Sequence, residues 1–183
     1  MNPYFPDLET DRLILRSIIP DDLEFIFQHF SDPMVNQYLL DDDPVETREQ
    51  AQEIIDFYVP PKSNFFNRWI ILLRTNKHPI GTCGFHKWDE KHSHAEIGYD
   101  LGTAHWHKGY MTEALQVVLH HGFDKMKLNR IEAIVYPENR ASLRLLERLG
   151  FQKEGLLRQS IRQSDKYYDH WILSLLKEDW LSR

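Results

Sequence analysis

The chain has 183 residues, 42% of them hydrophobic and 27% charged, which is enough for one domain with a buried core and too few for a roomy two-domain enzyme. One cysteine, Cys83, excludes a disulfide framework within the chain and fits a reducing compartment. The formal charge of -6 disfavours a nonspecific nucleic-acid binder, and it is unevenly spread: residues 1–60 hold 14 acidic side chains against three Arg and no Lys, residues 61–183 hold 14 against 19 Lys and Arg.

An acidic first third can face a cationic substrate while the remainder accommodates an anionic group, though ordinary solvation accounts for the asymmetry equally well. The opening MNPYFPDLETDRL has neither a basic start nor a following apolar run. No later stretch approaches the roughly 20 apolar residues of a membrane span, so a soluble, cytoplasmic protein is expected.

Leu13, Leu15 and Ile18 among polar residues predict a first strand over Thr10–Ile19. Pro20-Asp21-Asp22 opens a helix carrying Leu23, Phe25, Ile26, Phe27 and Phe30. Thr47 and Gln50 have the spacing of a capping box before a second helix to about Tyr58, ended by Pro60-Pro61. Trp69–Leu73, Ile80–Trp88 and His94–Leu101 read as successive strands of an antiparallel meander. From Tyr110 the period becomes helical, with Ala114, Leu115, Val118, Leu119 and His121–Phe123 on the apolar side. Arg130–Val135 fits a buried strand, Ala141–Leu149 a helix stopped by Gly150, the stretch to Arg162 a polar strand, and Trp171–Leu176 the last strand. The pattern contains no repeat, linker or domain boundary, and predicts one α+β or α/β domain over residues 1–183.

Trp106-His107-Lys108-Gly109-Tyr110-Met111-Thr112-Glu113-Ala114 lies between a predicted strand and a predicted helix. Free amides at such a helix start can bind anionic oxygens, Gly109 allows close backbone approach, and Lys108 can add a charged contact to phosphate. An ordinary loop entering a helix reads the same way on this segment alone.

The segment resembles the acyl-CoA pyrophosphate loop of the GCN5-related N-acetyltransferases (GNAT), and its W-x-K-G-Y-x-T-E-A pattern resembles the ribosomal-protein-alanine N-acetyltransferase (RimJ/RimL-like) branch. Trp106 and Met111 depart from the general motif at its opening and final positions, and His107 stands where the branch commonly has another glycine. Thr10–Arg16 resembles the family's first strand and Glu96-Ile97-Gly98-Tyr99 the strand before the loop. Pro137–Ser142 with Glu147–Phe151 resembles the later CoA-binding helix and turn.

The resemblance implies a sandwich-like α+β fold: a twisted, mostly antiparallel mixed sheet flanked by helices, with two central parallel strands splayed to admit acetyl-CoA. It implies transfer of an acetyl group to a primary amine by direct attack in a ternary complex, most simply to a protein or peptide N-terminal α-amine. A small-amine or polyamine acetyltransferase and a noncatalytic acyl-CoA-binding module are the alternatives. Glu96 is the expected general base through water, against a salt-bridge role. Asn139 and Ser142 are expected at the cofactor, Ser142 near the sulfur, against helix capping.

Tyr99, Leu101, Trp106, His107, Lys108, Gly109, Tyr110, Met111, Thr112 and Arg144 complete the expected acetyl-CoA contacts. Leu146 replaces a tyrosine that many relatives use as the thiolate's acid, so Ser142 or solvent takes that role. Neither His92/His94 nor His105/His107 makes a coordination sphere, and no metal is expected. Cys83 reads as structural. Phe65, Phe66, Trp69 and Tyr167–Trp171 can line the substrate entrance or pack the core. Lys125, Lys127 and Arg130 can approach the adenosine end or simply solvate a helix end. No direct nucleic-acid or membrane partner is expected, and both monomer and homodimer are open.

Overall fold

The computed structural model describes residues 5–39, 43–59, 66–163 and 165–182. Pro60-Pro61 and Phe65 lie outside them. The chain order is β1 (Leu8–Glu9), β2 (Leu13–Ser17), α1 (Leu23–Ser31), α2 (Pro33–Asn36), α3 (Arg48–Tyr58), β3 (Trp69–Leu73), β4 (Pro79–Asp89), β5 (His94–Leu101), α4 (Tyr110–Asp124), β6 (Arg130–Val135), α5 (Arg140–Arg148), β7 (Gln152–Gln163), β8 (Lys166–Leu176) and α6 (Lys177–Leu181). Single 3-10 turns at Pro20–Asp22 and Thr103–His105 lead toward α1 and α4.

Among the described residues eight strands form one sheet in the order β1-β2-β3-β4-β5-β6-β8-β7. Every neighbouring pair is antiparallel except β5 and β6. That parallel pairing is short. It joins His94 to Arg130, Ala95 to Ile131 and Glu96 to Glu132, while β5 continues to Leu101 and β6 to Val135. The two strands therefore part after Glu96.

Alternation along β3 explains its unbroken apolar run. Trp69 and Ile71 join the cluster that α4 and α5 cover with Leu115, Val118, Leu119, Leu143 and Leu146, whereas Ile70 and Leu72 join the cluster beneath α1 and α3 with Ile26, Phe30 and Ile55. Burying each such side chain contributes about 1.5–3 kcal/mol, so α4 and α5 are held against one face and α1 and α3 against the other. The Thr47/Gln50 capping box forms as expected. Gly150 adopts φ +90, the left-handed conformation that stops α5.

Two strand boundaries and two short helices differ from the sequence reading. Thr10–Ile19 is not one strand: the Thr10 amide donates to the Leu13 carbonyl and the Leu13 amide to Thr10 Oγ1, each at 3.0 Å, which closes a turn between β1 and β2. The last strand begins at Lys166 rather than Trp171, because its polar first half pairs with β7 in a hairpin where no apolar alternation marks it. The four-residue α2 and five-residue α6 are too short to show a helical period.

Candidate active site

The carboxyl-terminal ends of β5 and β6 face a cavity of about 850 Å³, lined by Ile97–Asp100 and Ala133–Tyr136 together with Glu96, Asn139 and Ser142. Beyond Glu96 no β5–β6 ladder pairs the facing strand edges among the described residues, so backbone donors and acceptors are open to a bound chain. The Tyr99 hydroxyl and Ser142 Oγ hydrogen-bond at 2.7 Å across the opening. Burial pushes the Tyr99 phenol far above its usual range, with the Ser142 bond working the other way, so Tyr99 stays protonated.

Asn139 is the N-cap of α5, its Oδ1 accepting from the Ser142 amide at 3.1 Å, so capping and a place on the cavity wall coexist in one residue. Glu96 reaches the cavity with its side chain 19% exposed and pairs with Lys87 Nζ at 2.9 Å. Lys87 sits in the bulge between β4 and β5 with φ +49, a strained backbone that turns its ammonium toward Glu96. Leu146 is fully buried in the core.

At the same carboxyl-terminal end of β5, residues 106–112 form a second feature. Gly109 is the N-cap of α4 at φ +77 and carries no side-chain cap. The first intrahelical bond is from the Glu113 amide to the Gly109 carbonyl, so the amides of Tyr110, Met111 and Thr112 precede the ladder and are available to an anion. His107 also has φ +59, which accounts for the glycine common at this place in the resembled branch. Met111 buries its side chain in the core and leaves the loop to its backbone.

The loop is braced by the first strand's turn. Glu113 Oε1 accepts from Thr10 Oγ1 and from the Arg12 amide, at 2.5 and 2.9 Å, and Oε2 accepts from Arg12 Nε at 2.6 Å. Burial raises the Glu113 carboxyl, but these bonds outweigh it and hold the group below its usual range. Arg12 also donates to the Lys108 carbonyl at 3.0 Å and lies 4.7 Å over the Tyr110 ring. Trp106 Nε1 donates to the Leu101 carbonyl at 2.6 Å. The Lys108 ammonium is engaged with the Ala104 carbonyl at 2.8 Å.

The cavity thus brings together Glu96, Tyr99, Asn139 and Ser142. Leu101, Trp106–Thr112 and Arg144 lie outside its lining, and Thr112 borders a separate concavity with Gln116, Arg148, Leu149 and Trp180. Phe66 and His170 line the cavity, Trp69 is fully buried, and Tyr167 is exposed. Lys125 stands at the far end of α4, about 24 Å from Gly109 at the usual helical rise, paired with Asp124. Arg130 opens β6 at its closed end, paired with Glu132 and Glu154. Burial raises the Cys83 thiol far above its usual range. Among the described residues no group of three His, Cys, Asp or Glu could hold a metal, and no helix is long and apolar enough to cross a membrane.

A buried polar cluster beneath α1 and α3 was not foreseen. Asp100 accepts from Thr82 Oγ1 at 2.6 Å, from the Thr82 amide at 3.0 Å and from Arg68 at 3.1 Å, and bonds His29 Nε2 at 2.6 Å. Burial raises the Asp100 carboxyl, but His29, Arg68 and Thr82 together hold it below its usual range. Arg68 also donates to Thr82 Oγ1 and lies near His86 Nε2, at 3.0 and 3.3 Å. A charged residue in the otherwise apolar strand segment Ile97–Leu101 was the available signal, since a buried carboxylate requires partners.

Comparison with known proteins agrees with this architecture. The model of the acetyltransferase (GNAT) domain matches residues 12–152. The uncharacterized N-acetyltransferase YoaA of Bacillus subtilis is 44% identical over 174 residues, 94% of this chain and 98% of the relative. A crystal structure of a GNAT-family acetyltransferase from Bacillus anthracis superposes with TM-score 0.83 at 28% identity, covering 94% of this chain and 99% of that one. The [ribosomal protein uS5]-alanine N-acetyltransferase of Escherichia coli is 33% identical over 105 residues, 57% of this chain and 54% of the relative. The eight-stranded mixed sheet with its splayed parallel pair is that of an acyl-group-transferring fold. The chain belongs to the acetyltransferase (GNAT) family and is an N-acetyltransferase.

Proposed function

We propose that the protein, as one domain over residues 1–183, transfers the acetyl group of acetyl-CoA to the α-amine of a protein or peptide N-terminus by direct attack. The observation that carries the reading is the gap between β5 and β6, where Glu96, Tyr99 and Ser142 meet open backbone edges. An extended pantetheine arm can pair with those edges while its pyrophosphate sits on the amides of Tyr110–Thr112. Gly109, His107 and the Arg12–Glu113 brace fix that loop, and Lys108 and Trp106 act by holding it rather than by touching phosphate. Tyr99 and Leu101 then flank the arm on β5, and Arg144, exposed on α5, is available to the adenosine end.

An α-amine with an ordinary pKa of about 7.7–8.0 is partly neutral at physiological pH, so little base strength is required. In this reading Glu96 takes the proton through water, and Ser142, backed by the protonated Tyr99, supplies one to the leaving thiolate. Positioning and backbone donors carry much of the acceleration, with no acyl-enzyme. The resemblance of residues 106–114 to the ribosomal-protein branch and the partial match to the uS5-alanine enzyme support an N-terminal acceptor.

The test is turnover with acetyl-CoA and short peptides alongside acetyl-CoA affinity for Ser142→Ala. Retained affinity with at least about tenfold lower kcat supports the assignment. Unchanged kcat removes Ser142 from the chemistry.

A further inference from the structure

The floor of the cavity on its α1/α3 side is one face of the β4–β5 pair. Register places His86 opposite Glu96, Gly84 opposite Gly98 and Thr82 opposite Asp100. A Cβ on Gly98 would lie 3.2 Å from His86 Cε1 and 3.6 Å from Nδ1, so the imidazole lies over the bare backbone of residue 98. The Phe66 ring stands 6.1 Å away on another side. His86, Glu96 and Gly98 all line the cavity.

One ring nitrogen is assigned by its neighbour. Arg68 Nη2 is 3.3 Å from His86 Nε2, and a guanidinium can only donate. Nε2 must therefore accept, and the ring's proton resides on Nδ1. Arg68 has little freedom to reverse this, since Asp100 and Thr82 hold Nη1 while the guanidinium lies 5.7 and 5.8 Å from the Phe30 and Tyr58 rings. The ring is also kept neutral: burial first, then the charges of Arg68 and Lys87, depress it to about 3. Among the described residues Nδ1 has no hydrogen-bond partner. The cavity thus contains a fixed neutral donor directly across the strand pair from Glu96.

We infer that His86 is a specificity-determining residue whose Nδ1–H binds the oxygen of a carbonyl group attached to the carbon that bears the acceptor amine, so that α-amino amides are acetylated in preference to plain alkyl amines. Directly opposed Cβ atoms in an antiparallel pair lie about 4.5–5.5 Å apart, a separation that an amine and its neighbouring carbonyl can span between Glu96 and His86. Charge selects the amide over the free carboxylate. Asp43, Glu53, Glu96 and Asp100 line the cavity against Arg68 and Lys87, an acidic excess that repels an anionic acceptor. The inference rests on the acetyltransferase reading of this cavity and narrows its substrate.

The test compares alaninamide, free alanine and 3-methyl-2-aminobutane, whose branched carbon replaces the amide, with acetyl-CoA as donor. Each kcat/KM is expressed per neutral amine, because the alkyl amine is the stronger base. Wild type should favour alaninamide over both others by at least about tenfold, and His86→Phe should reduce that preference by about tenfold or more. His86→Asn, whose amide can donate from near the Nδ1 position, should restore part of it. Thermal unfolding and acetyl-CoA affinity of each variant report whether the fold is intact. A wild-type preference under about twofold, or a His86→Phe loss equal for alaninamide and the alkyl amine, overturns the inference while leaving acetyl transfer established. Preference for free alanine overturns the charge argument. Transfer to none of the three overturns both this inference and the reading it rests on.

Discussion

Glu96 and Lys87 define a contact whose loss can be read in kinetics. With Glu96 as base, Glu96→Gln should lower kcat by about 10²–10⁴ while acetyl-CoA affinity changes little. Equal losses in affinity and turnover would assign Glu96 to holding the strand edge through Lys87 instead. His86 makes a separate prediction in acid. Its folded-state pKa of about 3 lies below the ordinary 6.5, so the unfolded chain binds the extra proton between those values. The neutral ring's contribution is complete above about pH 6.5 and is lost as pH falls toward 3. Denaturant unfolding should therefore show a falling limb across that window, and His86→Phe should flatten it. An unchanged limb would mean that the ring protonates freely in the folded protein.

The residues of this cluster also mark where sequence reasoning stopped. Glu96, Tyr99, Asn139 and Ser142 were legible because they lie in short motifs with a resemblance to follow. Arg68, His86 and Asp100 join across 18 and 32 positions, and no local pattern reports such contacts. Alternation along the observed strand puts Glu96, Gly98 and Asp100 on one face of β5. It does not indicate what covers that face.

At the level of elements, the turn between β1 and β2 and the start of α4 form one unit through Thr10, Arg12 and Glu113. The sequence marked only the start of α4 and read the turn as part of a strand, and their contact, spanning 101 positions, was invisible along the chain. Arg12→Met should therefore raise the KM for acetyl-CoA by several-fold with a smaller effect on the KM for the amine, because it loosens the loop and leaves the cavity. Gly109→Ala should do the same and also destabilise the protein by about 1–2 kcal/mol, since φ +77 places a Cβ against the carbonyl. Steady-state kinetics varying each substrate checks the first claim and denaturant unfolding the second. A larger rise in amine KM than in acetyl-CoA KM would contradict this division of labour.

The strands and helices from β3 to α5 were legible because each is long enough to display its period or ends on a marked residue such as Gly150. Short α2 and α6 were not, and the polar half of β8 was hidden because it leaves the core in the hairpin with β7.

Across the whole molecule, the fold divides the work at one line, the point after Glu96 where β5 and β6 separate. In the proposed reading the sheet, α4 and α5 frame the acyl donor, and α1, α3 and the β4–β5 face form the chamber beside it. The acidic first third contributes Asp43 and Glu53 to that chamber, so part of the uneven charge lines the cavity. Acetyl-CoA should protect the amides of residues 97–101 and 133–135 from hydrogen exchange, together with those of residues 110–112. Protection confined to residues 110–112 would mean that the donor does not enter the gap.

The most direct measurement is mass spectrometry of a reaction containing the protein, acetyl-CoA and a peptide with a free N-terminus, compared with the same reaction under Glu96→Gln. The expected result is a peptide carrying one acetyl group on its α-amine, released CoA in equal amount, and strong loss of both with the variant. CoA released without acetylated peptide, or equal product from both proteins, would contradict the account.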